Sequence, residues 1–308
     1  MKIKNSAAAL LGLTVAAGGL AAQTTPASAR TGEVPTYCQV AMMSTTDGGD
    51  HIRRNFQGVV PPGASPSGWG GKDLLPDNEA RAVSAVGLQV GQDGVSQNRR
   101  QYVVLGTSLY LLTYTAESWN GDVVPGSVKR TPIGGGWGDV RYIESSRFNR
   151  NNTLVRQNAY ALLGDTILRW TVSGETAFAR KATYTGFSAV KTMALISQTA
   201  TYDTFLATTR GGALYTIRIP LSGQPVVKVV RRGTWQGFES LVADDCGQKT
   251  GLIGIDHETG ATFMYEFGHA NGTATVIRGL GKVNRTITET LHARYYEDTT
   301  DYGQLSGE

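Results

Sequence analysis

Residue types that build metal centres are scarce in this sequence. Its 308 residues include two cysteines and four histidines, and neither type forms a cluster. The zinc motif His-Glu-x-x-His and the nucleophile motif Gly-x-Ser-x-Gly are both absent. The Ser-x-Asp-x-Gly-x-x-Trp box of sialidases is absent as well. We therefore expect no cofactor and no metal site, and the sequence singles out no catalytic residue.

Charge and long apolar runs are also sparse. Charged residues make up 18% of the chain, and its formal net charge is +4, of which two charges are lysines at the N-terminus. Because no strongly basic stripe is available to displace counterions, the sequence argues against nucleic acid as the partner. No long apolar run follows residue 22, so we expect no membrane span in the rest of the chain.

The N-terminus has the pattern of a secretory signal peptide. Two lysines precede an apolar run over 7–22, and a small-x-small tripeptide ends at Ala29. A membrane anchor is the alternative, but the run contains Thr14 and two glycines and is shorter than a typical span. We predict that residues 1–29 are removed and that 30–308 form a single secreted domain.

The remaining chain repeats one pattern. A short apolar strand, a turn rich in Gly or Asp and a second alternating strand recur five times, and such turns supply the positive φ of tight hairpins. If Leu109, Leu168, Leu214 and Phe263 are equivalent, they lie 59, 46 and 49 residues apart. A period near 50 residues is typical of β-propellers with four strands in each blade. The hairpins cover 38–56, 101–116, 159–174, 204–219 and 251–267.

The other two strands of each blade flank these hairpins. An alternating run with Lys or Arg follows four hairpins and suits an exposed outer strand, whose charges discourage edge pairing. An apolar run precedes the same four hairpins and suits an inner strand. The outer runs cover 127–133, 177–184, 225–232 and 273–280, and the inner runs cover 82–90, 139–146, 189–197 and 238–244. Residues 61–71, rich in Gly, Pro and Ser, indicate a loop.

The first hairpin has no inner strand before it, but a spare strand lies at the other end of the chain, over 286–296. We therefore predict an all-β fold, a five-bladed β-propeller of four-stranded blades. A split blade closes it, in which the C-terminal strand completes the N-terminal strands. Such closure hides sheet edges and covers the faces of the terminal blades.

The two cysteines fit this closure. Cys38 opens the second strand of the first blade, and Cys246 follows the first strand of the fifth. These blades are neighbours in a ring, and secreted proteins commonly contain disulfides. We expect a bridge between them, with two free buried thiols as the alternative.

Three crossovers between blades contain a glycine and then an aromatic residue. They are Gly136-Trp137-Gly138-Asp139, Thr185-Gly186-Phe187-Ser188 and Gly233-Thr234-Trp235-Gln236-Gly237-Phe238. The glycines permit a tight turn, and the aromatic ring can insert between adjacent blades. One of these stretches, KRTPIGGGWGDVRYIESS over 129–146, resembles the repeat of the tachylectin-2-type lectins.

The resemblance is good over that stretch, moderate around 183–197 and 230–244, and limited to the period elsewhere. It implies a five-bladed propeller that binds N-acetylated amino sugars at sites between neighbouring sheets. Repeats of that family are nearly identical, whereas those of this chain diverge. Phe187 and then Phe238 replace Trp137, and Ala189 and Ser240 replace Asp139. We therefore expect some blades to have lost a sugar site.

The candidate ligand-binding residues are Trp137, Asp139, Phe187, Trp235 and Phe238. An aromatic ring stacks on the apolar face of a sugar, and a carboxylate accepts hydrogen bonds from its hydroxyl or amide groups. Packing between blades is the alternative role of the two tryptophans. The resulting expectation is a secreted monomer, most simply a lectin without catalytic activity, whose partners are glycans.

Two other functions remain open at this point. A secreted polysaccharide hydrolase or lyase would need paired carboxylates near the propeller axis, for which Glu144, Glu289, Asp244-Asp245 and Asp256-His257 are candidates. Solvated acids in loops and turns are the simpler interpretation of those residues. A scaffold that binds another protein is the third possibility.

Overall fold

A computed structural model describes residues 38–308 of the chain, except 67 and 302. The predicted signal peptide, 1–29, lies outside the described residues. Within them, one short 3-10 helix (Gly272–Ala274) accompanies 22 β-strands. No helix of the described part is long and apolar enough to cross a membrane.

The strands follow in chain order. They are β1 (Gln39–Thr45), β2 (His51–Gln57), β3 (Gly63–Ala64), β4 (Gly68–Gly71), β5 (Ala80–Val83), β6 (Val86–Val90), β7 (Ser96–Leu105), β8 (Ser108–Glu117), β9 (Lys129–Gly135), β10 (Val140–Arg150), β11 (Thr153–Leu163), β12 (Thr166–Ser173), β13 (Ala177–Tyr184), β14 (Val190–Gln198), β15 (Tyr202–Thr209), β16 (Leu214–Pro220), β17 (Val226–Arg231), β18 (Ser240–Asp245), β19 (Thr250–Ile255), β20 (Thr262–Phe267), β21 (Ile277–Lys282) and β22 (Leu291–Glu297).

These strands form five antiparallel blades. Blades 3, 4 and 5 are the sheets β10–β13, β14–β17 and β18–β21, and blade 2 contains β5 to β9. Blade 1 contains β22, β1 and β2, with β3 and β4 on its outer side. The inner strands are β22, β5, β10, β14 and β18, and each lies against the inner strands of both neighbouring blades. The ring is therefore closed, and the predicted five-bladed propeller is confirmed.

The split blade is also confirmed. Strand β22 pairs antiparallel with β1, and Met42 lies opposite Arg294. Beyond this pairing β22 continues alongside β6 in parallel, where Tyr295 lies opposite Val86. The last strand thus links the first blade to the second, and hydrogen bonds complete the ring at this junction.

Blade 2 departs from the prediction of one inner strand over 82–90. The inner edge is divided into β5 and β6 at Ser84 and Ala85, where the Ser84 amide still donates to the Tyr102 carbonyl at 2.9 Å. The Ser84 hydroxyl accepts the Tyr102 amide at 3.0 Å, and the Ala85 amide donates to the Glu144 carboxylate of blade 3 at 3.1 Å. Side-chain oxygens thus accept the Tyr102 and Ala85 amides, and an apolar sequence pattern does not reveal such contacts.

Three other expectations were wrong at their boundaries. Residues 61–71 supply the outer strands β3 and β4 rather than a loop alone, since β2 has no other outer partner. The outer run 273–280 begins as a strand only at Ile277, after the 3-10 turn that the Thr275 hydroxyl stabilises by donating to the Gly272 carbonyl at 2.7 Å. The closing strand begins at Leu291 rather than at residue 286.

A C-terminal strap, residues 298–308, crosses one end of the ring. Its backbone is hydrogen bonded in turn to Leu88 of blade 2, to the Asn149 side chain of blade 3 and to Gln198 of blade 4. Leu305, a residue of the strap, is fully buried. The strap therefore runs along the C-terminal ends of β6, β10 and β14.

The apolar core consists of separate layers between neighbouring blades. One layer, for example, joins Ala82 and Leu109 of blade 2 to Ile143 and Ala161 of blade 3. Between blades 5 and 1 the layer includes Cys38, and the predicted disulfide to Cys246 is present there, with Cα atoms 5.0 Å apart. The bridge spans 208 residues of sequence and joins the split blade 1 to blade 5.

Replacement of both cysteines by serine should lower the free energy of unfolding by about 2–5 kcal/mol, since a long loop is then unconstrained in the unfolded chain. Urea denaturation followed by tryptophan fluorescence measures the change, and wild type unfolded with a reductant is the control. Equal midpoints for the oxidised and serine forms would contradict a stabilising role of the bridge.

Candidate functional site

The three glycine-aromatic crossovers adopt one backbone geometry. In each, a residue with left-handed φ precedes the aromatic residue, with φ of 90°, 92° and 78°. The pairs are Gly136-Trp137, Gly186-Phe187 and Thr234-Trp235. The amide of each aromatic residue donates to a carbonyl in the hairpin turn of the preceding blade, at 2.8 to 3.0 Å. Each crossover is therefore tied to the blade that the chain has just left.

This geometry corrects the alignment made from sequence. Trp235, not Phe238, occupies the place of Trp137 and Phe187. Phe238 follows Trp235 by three residues, as Val140 follows Trp137 in the earlier crossover. The substitution along the ring is therefore tryptophan, phenylalanine and tryptophan, so the middle crossover has the smallest of the three rings.

Trp137 fills the gap between blades 2 and 3. Its side chain is only 7% exposed, and its ring centroid lies 5.2 Å from that of Trp170 on β12. Phe178 extends this aromatic cluster. The indole is buried in this aromatic cluster, so packing accounts for Trp137. Asp139, two residues on, is exposed and lies beside a ring that a sugar does not reach.

Trp235 and Phe238 fill the gap between blades 4 and 5 in the same way. They are 6% and 7% exposed, and their ring centroids lie 5.7 Å apart. Trp235 also packs on Tyr265 of β20 at 4.9 Å, and Phe238 packs on Phe263 at 5.9 Å. Phe267 also packs on Trp235, with ring centroids 5.9 Å apart. Five aromatic rings thus occupy this layer, and the two predicted ligand-binding residues lie inside it.

The gap between blades 3 and 4 is different because a cavity of about 430 Å³ remains open there. Phe187 is half-buried at its wall and packs against the layer that contains Ile217 of β16, where the other two gaps have Trp170 and Tyr265. The cavity is lined by Tyr184, Thr185, Gly186, Phe187, Ala189, Val190, Thr209, Tyr215, Ile217, Gln224, Pro225 and Val227. Among the five residues proposed from sequence, Phe187 alone reaches it.

The composition of this wall suits a small polar ligand with an apolar face. Tyr184, Phe187 and Tyr215 contribute aromatic surface, while Pro225 and Val227 contribute aliphatic surface. Polar groups come from two threonines, one glutamine and the two tyrosine hydroxyls. A pocket that combines aromatic surface with a few polar groups is the usual form of a small-molecule site. The volume is within the range of such sites.

Sequence analysis missed Tyr184, Tyr215 and the Gln224-Pro225 segment of this cavity. Tyr184 ends an outer strand and Tyr215 lies on the third strand, so neither belongs to the crossover motif. A comparison of ring sizes at paired positions could have found the site. The crossover ring and its partner on the third strand are Trp137 with Trp170, Phe187 with Ile217, and Trp235 with Tyr265.

The acids considered for hydrolysis have structural partners instead. Glu144 accepts the amides of Ala85 and Ser145 at 3.1 and 2.7 Å, and burial raises its pKa. Glu289 forms an ion pair with Arg54 at 2.8 Å. Asp256 accepts two amides within its own turn. These contacts hold neighbouring strands together or stabilise turns.

Asp244 makes a contact of this kind between blade 5 and blade 1, the split blade. Its carboxylate accepts the Ala41 amide of blade 1 at 3.0 Å and the Asp245 amide at 2.9 Å. Burial raises the pKa of Asp244 to about 6, although Arg294 and the two amides oppose the shift. Among the described residues, no group of three or more His, Cys, Asp or Glu side chains is placed to hold a metal ion.

No family model matches the sequence, and no curated protein matches it either. Among solved structures, the hydrazine synthase of Kuenenia stuttgartiensis matches at 11% identity with a TM-score of 0.36, over 78% of this chain and 65% of that chain. A triple-arginine mutant of AofleA from Arthrobotrys oligospora matches at 9% identity with a TM-score of 0.43, over 85% and 76%. The WD40 domain of SCAP from fission yeast matches at 10% identity with a TM-score of 0.34, over 75% and 51%.

These likenesses are too distant to indicate a function. The chain spans just under two thirds of the hydrazine synthase chain and about half of the WD40 domain. The sheet order and the closed ring described above establish the propeller independently.

Trp137→Ala should cost about 3–5 kcal/mol of stability, because it empties a filled layer between blades. Phe187→Ala should cost clearly less, since that ring already borders open space. Denaturant unfolding of the two variants measures the difference. Equal losses would contradict the contrast between a filled and an open gap.

The raised pKa of Asp244 predicts a pH-dependent effect of Asp244→Asn. The folded pKa is about 6 against an ordinary value of 3.8, so the folded state holds the proton more tightly. This contribution to stability is present below about pH 4 and is lost as the pH rises through 6. The stability of the variant relative to wild type should therefore increase between pH 4 and pH 7. Denaturation at four pH values tests this, and a constant difference would refute it.

Proposed function

We propose that this protein is a secreted lectin that binds a glycan in the cavity between blades 3 and 4. The open gap at Phe187 supports the proposal most strongly, because tryptophan fills the gap at each of the two equivalent crossovers. A wall with three aromatic rings offers the stacking surface that the apolar face of a sugar requires. Thr185, Thr209 and Gln224 offer hydrogen bonds that would orient its hydroxyl groups.

The ligand class that we propose is an amino-sugar-containing glycan of a cell wall or cell surface. The resemblance of residues 129–146 to the tachylectin-2-type repeat suggests this class. An N-acetyl group also suits the mixed apolar and polar wall of the cavity. The methyl group of an acetamide could pack on Ile217 and Val227, while its amide could pair with a threonine or glutamine. We propose one working site of this type rather than one in each blade, because large aromatics occupy the two equivalent gaps.

Secretion is part of the same proposal. The pattern of residues 1–29 favours export, and the Cys38–Cys246 disulfide suits an oxidising compartment. We propose a monomer for the mature chain. A single site on a monomer predicts modest affinity for a free sugar.

A glycan array with the mature protein, followed by calorimetry with N-acetylglucosamine oligomers and glucose oligomers, tests the function. We expect saturable binding of the amino-sugar oligomers without turnover. Phe187→Trp combined with Ile217→Trp recreates the filled layer of Trp137 and Trp170, so it should abolish binding while the protein remains folded. Trp137→Phe is the matched control and should bind as wild type.

The outcomes separate the alternatives. Absence of binding to every glycan would overturn the proposed function and favour a protein-binding scaffold. Release of shortened products would favour a hydrolase or lyase. Binding that survives the double tryptophan variant would move the site away from the cavity between blades 3 and 4.

A further inference from the structure

The two ends of the ring differ in their exposed apolar side chains. At the end that carries the strap, which we call the strap end, the inner strands finish. The connections from the first to the second strand and from the third to the fourth strand of each blade therefore lie there. The turns between second and third strands and the crossovers between blades lie at the opposite, crossover end. Strand direction thus assigns each exposed side chain to one end.

Within the described part of the chain, all the exposed large apolar residues belong to the strap end. They lie in its connections or at the strand ends beside them, and each of the five blades contributes between one and four. They are Val60, Val90, Val95, Trp119, Val124, Leu154, Val155, Leu221, Val226, Val227 and Val276. The glycan proposal uses only Val227, which lines the cavity between blades 3 and 4. Exposed apolar surface collected on one face indicates an interaction site.

Trp119 is the largest of these residues, and its side chain has no packing role. It is 65% exposed, in the loop between β8 and β9. The loop is braced by hydrogen bonds from the Glu117 amide to the Asp122 carbonyl and from the Ser118 amide to the Val95 carbonyl, both at 2.9 Å. The second bond joins this loop to the one that contains Val95. Blade 2 therefore presents two neighbouring apolar loop tips on an ordered backbone.

The distribution of these side chains fits a lipid surface better than a protein partner. They lie on separate loop tips around the ring and do not line one apolar groove. A cavity of about 370 Å³ among the strap-end strands of blade 2 has a mostly polar wall that includes Asn98, Thr113, Thr115 and Lys129. It therefore offers no apolar pocket for an anchor residue of a protein. A bilayer can contact all the tips together, and tryptophan is favoured at its interface.

The N-terminal part of the chain is joined to the fold at the same end. The described chain begins at Cys38, whose carbonyl accepts the Gly58 amide at 2.6 Å. Both residues follow directly on the pair Gln39 and Gln57, which ends the β1–β2 ladder at the strap end. The predicted export segment, 1–29, is therefore connected to the strap end. A chain held in a membrane by that segment would present its apolar tips to the lipid.

We propose that the strap end binds the surface of a lipid bilayer, with Trp119 and the aliphatic loop tips inserted between headgroups and acyl chains. The contact is peripheral, because each tip supplies one or two side chains and no helix of the described part can span a membrane. Burial of apolar surface drives it, so binding depends little on salt.

Co-sedimentation of the mature protein with phosphatidylcholine vesicles at low and high salt tests this proposal. We expect saturable binding of equal strength at both salt concentrations. Trp119→Ser combined with Val95→Ser should weaken that binding about tenfold or more, because the largest apolar tip is lost. Gln236→Ser changes an exposed residue at the crossover end and should bind as wild type.

A second pair of substitutions and a spectroscopic measurement locate the contact. Leu154→Ser combined with Val155→Ser, on blade 3, should also weaken binding, because more than one blade touches the lipid. Lipid brominated in its acyl chains should quench the fluorescence of wild type but not that of the variant at 95 and 119. Both variants should keep their circular dichroism spectrum and their glycan binding, which separates this surface from the glycan cavity.

Three results would overturn the proposal. Absence of vesicle binding would favour a protein partner for the apolar tips. Equal binding by wild type and the variant at 95 and 119 would place the contact elsewhere on the ring. Binding that requires anionic lipid and disappears at high salt would show that charge, not the apolar tips, drives association.

Discussion

The pairing of the last strand with the first is the constraint on which the rest of the structure depends. It places Arg294 opposite Met42 and brings blade 5 against blade 1. Two further contacts join blade 1 to blade 5, the Cys38–Cys246 disulfide and the bond from the Ala41 amide to Asp244. A ring closed at this one place surrounds a channel, and it fixes five gaps between blades.

The size of a few aromatic side chains then decides which gaps are solid. Three crossovers share one backbone geometry, so the difference between them comes from side chains alone. A pair of large rings fills a gap and gives stability, whereas Phe187 opposite Ile217 leaves space for a ligand. Binding capacity in this fold thus arises where packing is incomplete. Divergence between the repeats is informative for that reason.

The sequence predicted the ring well because its signals are local and periodic. Hairpin turns, alternating strands and the spare strand near residue 290 together determined the number of blades and the split. The site was predicted less well. Trp137 was the strongest candidate because stacking and packing call for the same residue type, and only its contact with Trp170 distinguishes the two roles. The cavity at Phe187 depends on Tyr215 and Ile217, which are distant in sequence, and no local pattern relates them.

The position of β22 has a consequence for synthesis of the protein. Because the inner strand of the first blade is made last, four blades are complete before the first one can be, and the ring must wait until residue 297 has left the ribosome. The nascent chain meanwhile presents the open edge of β1 and the uncovered face of blade 5. Such surfaces associate with other chains, so the interval before β22 is complete is the one in which the chain is most exposed to aggregation.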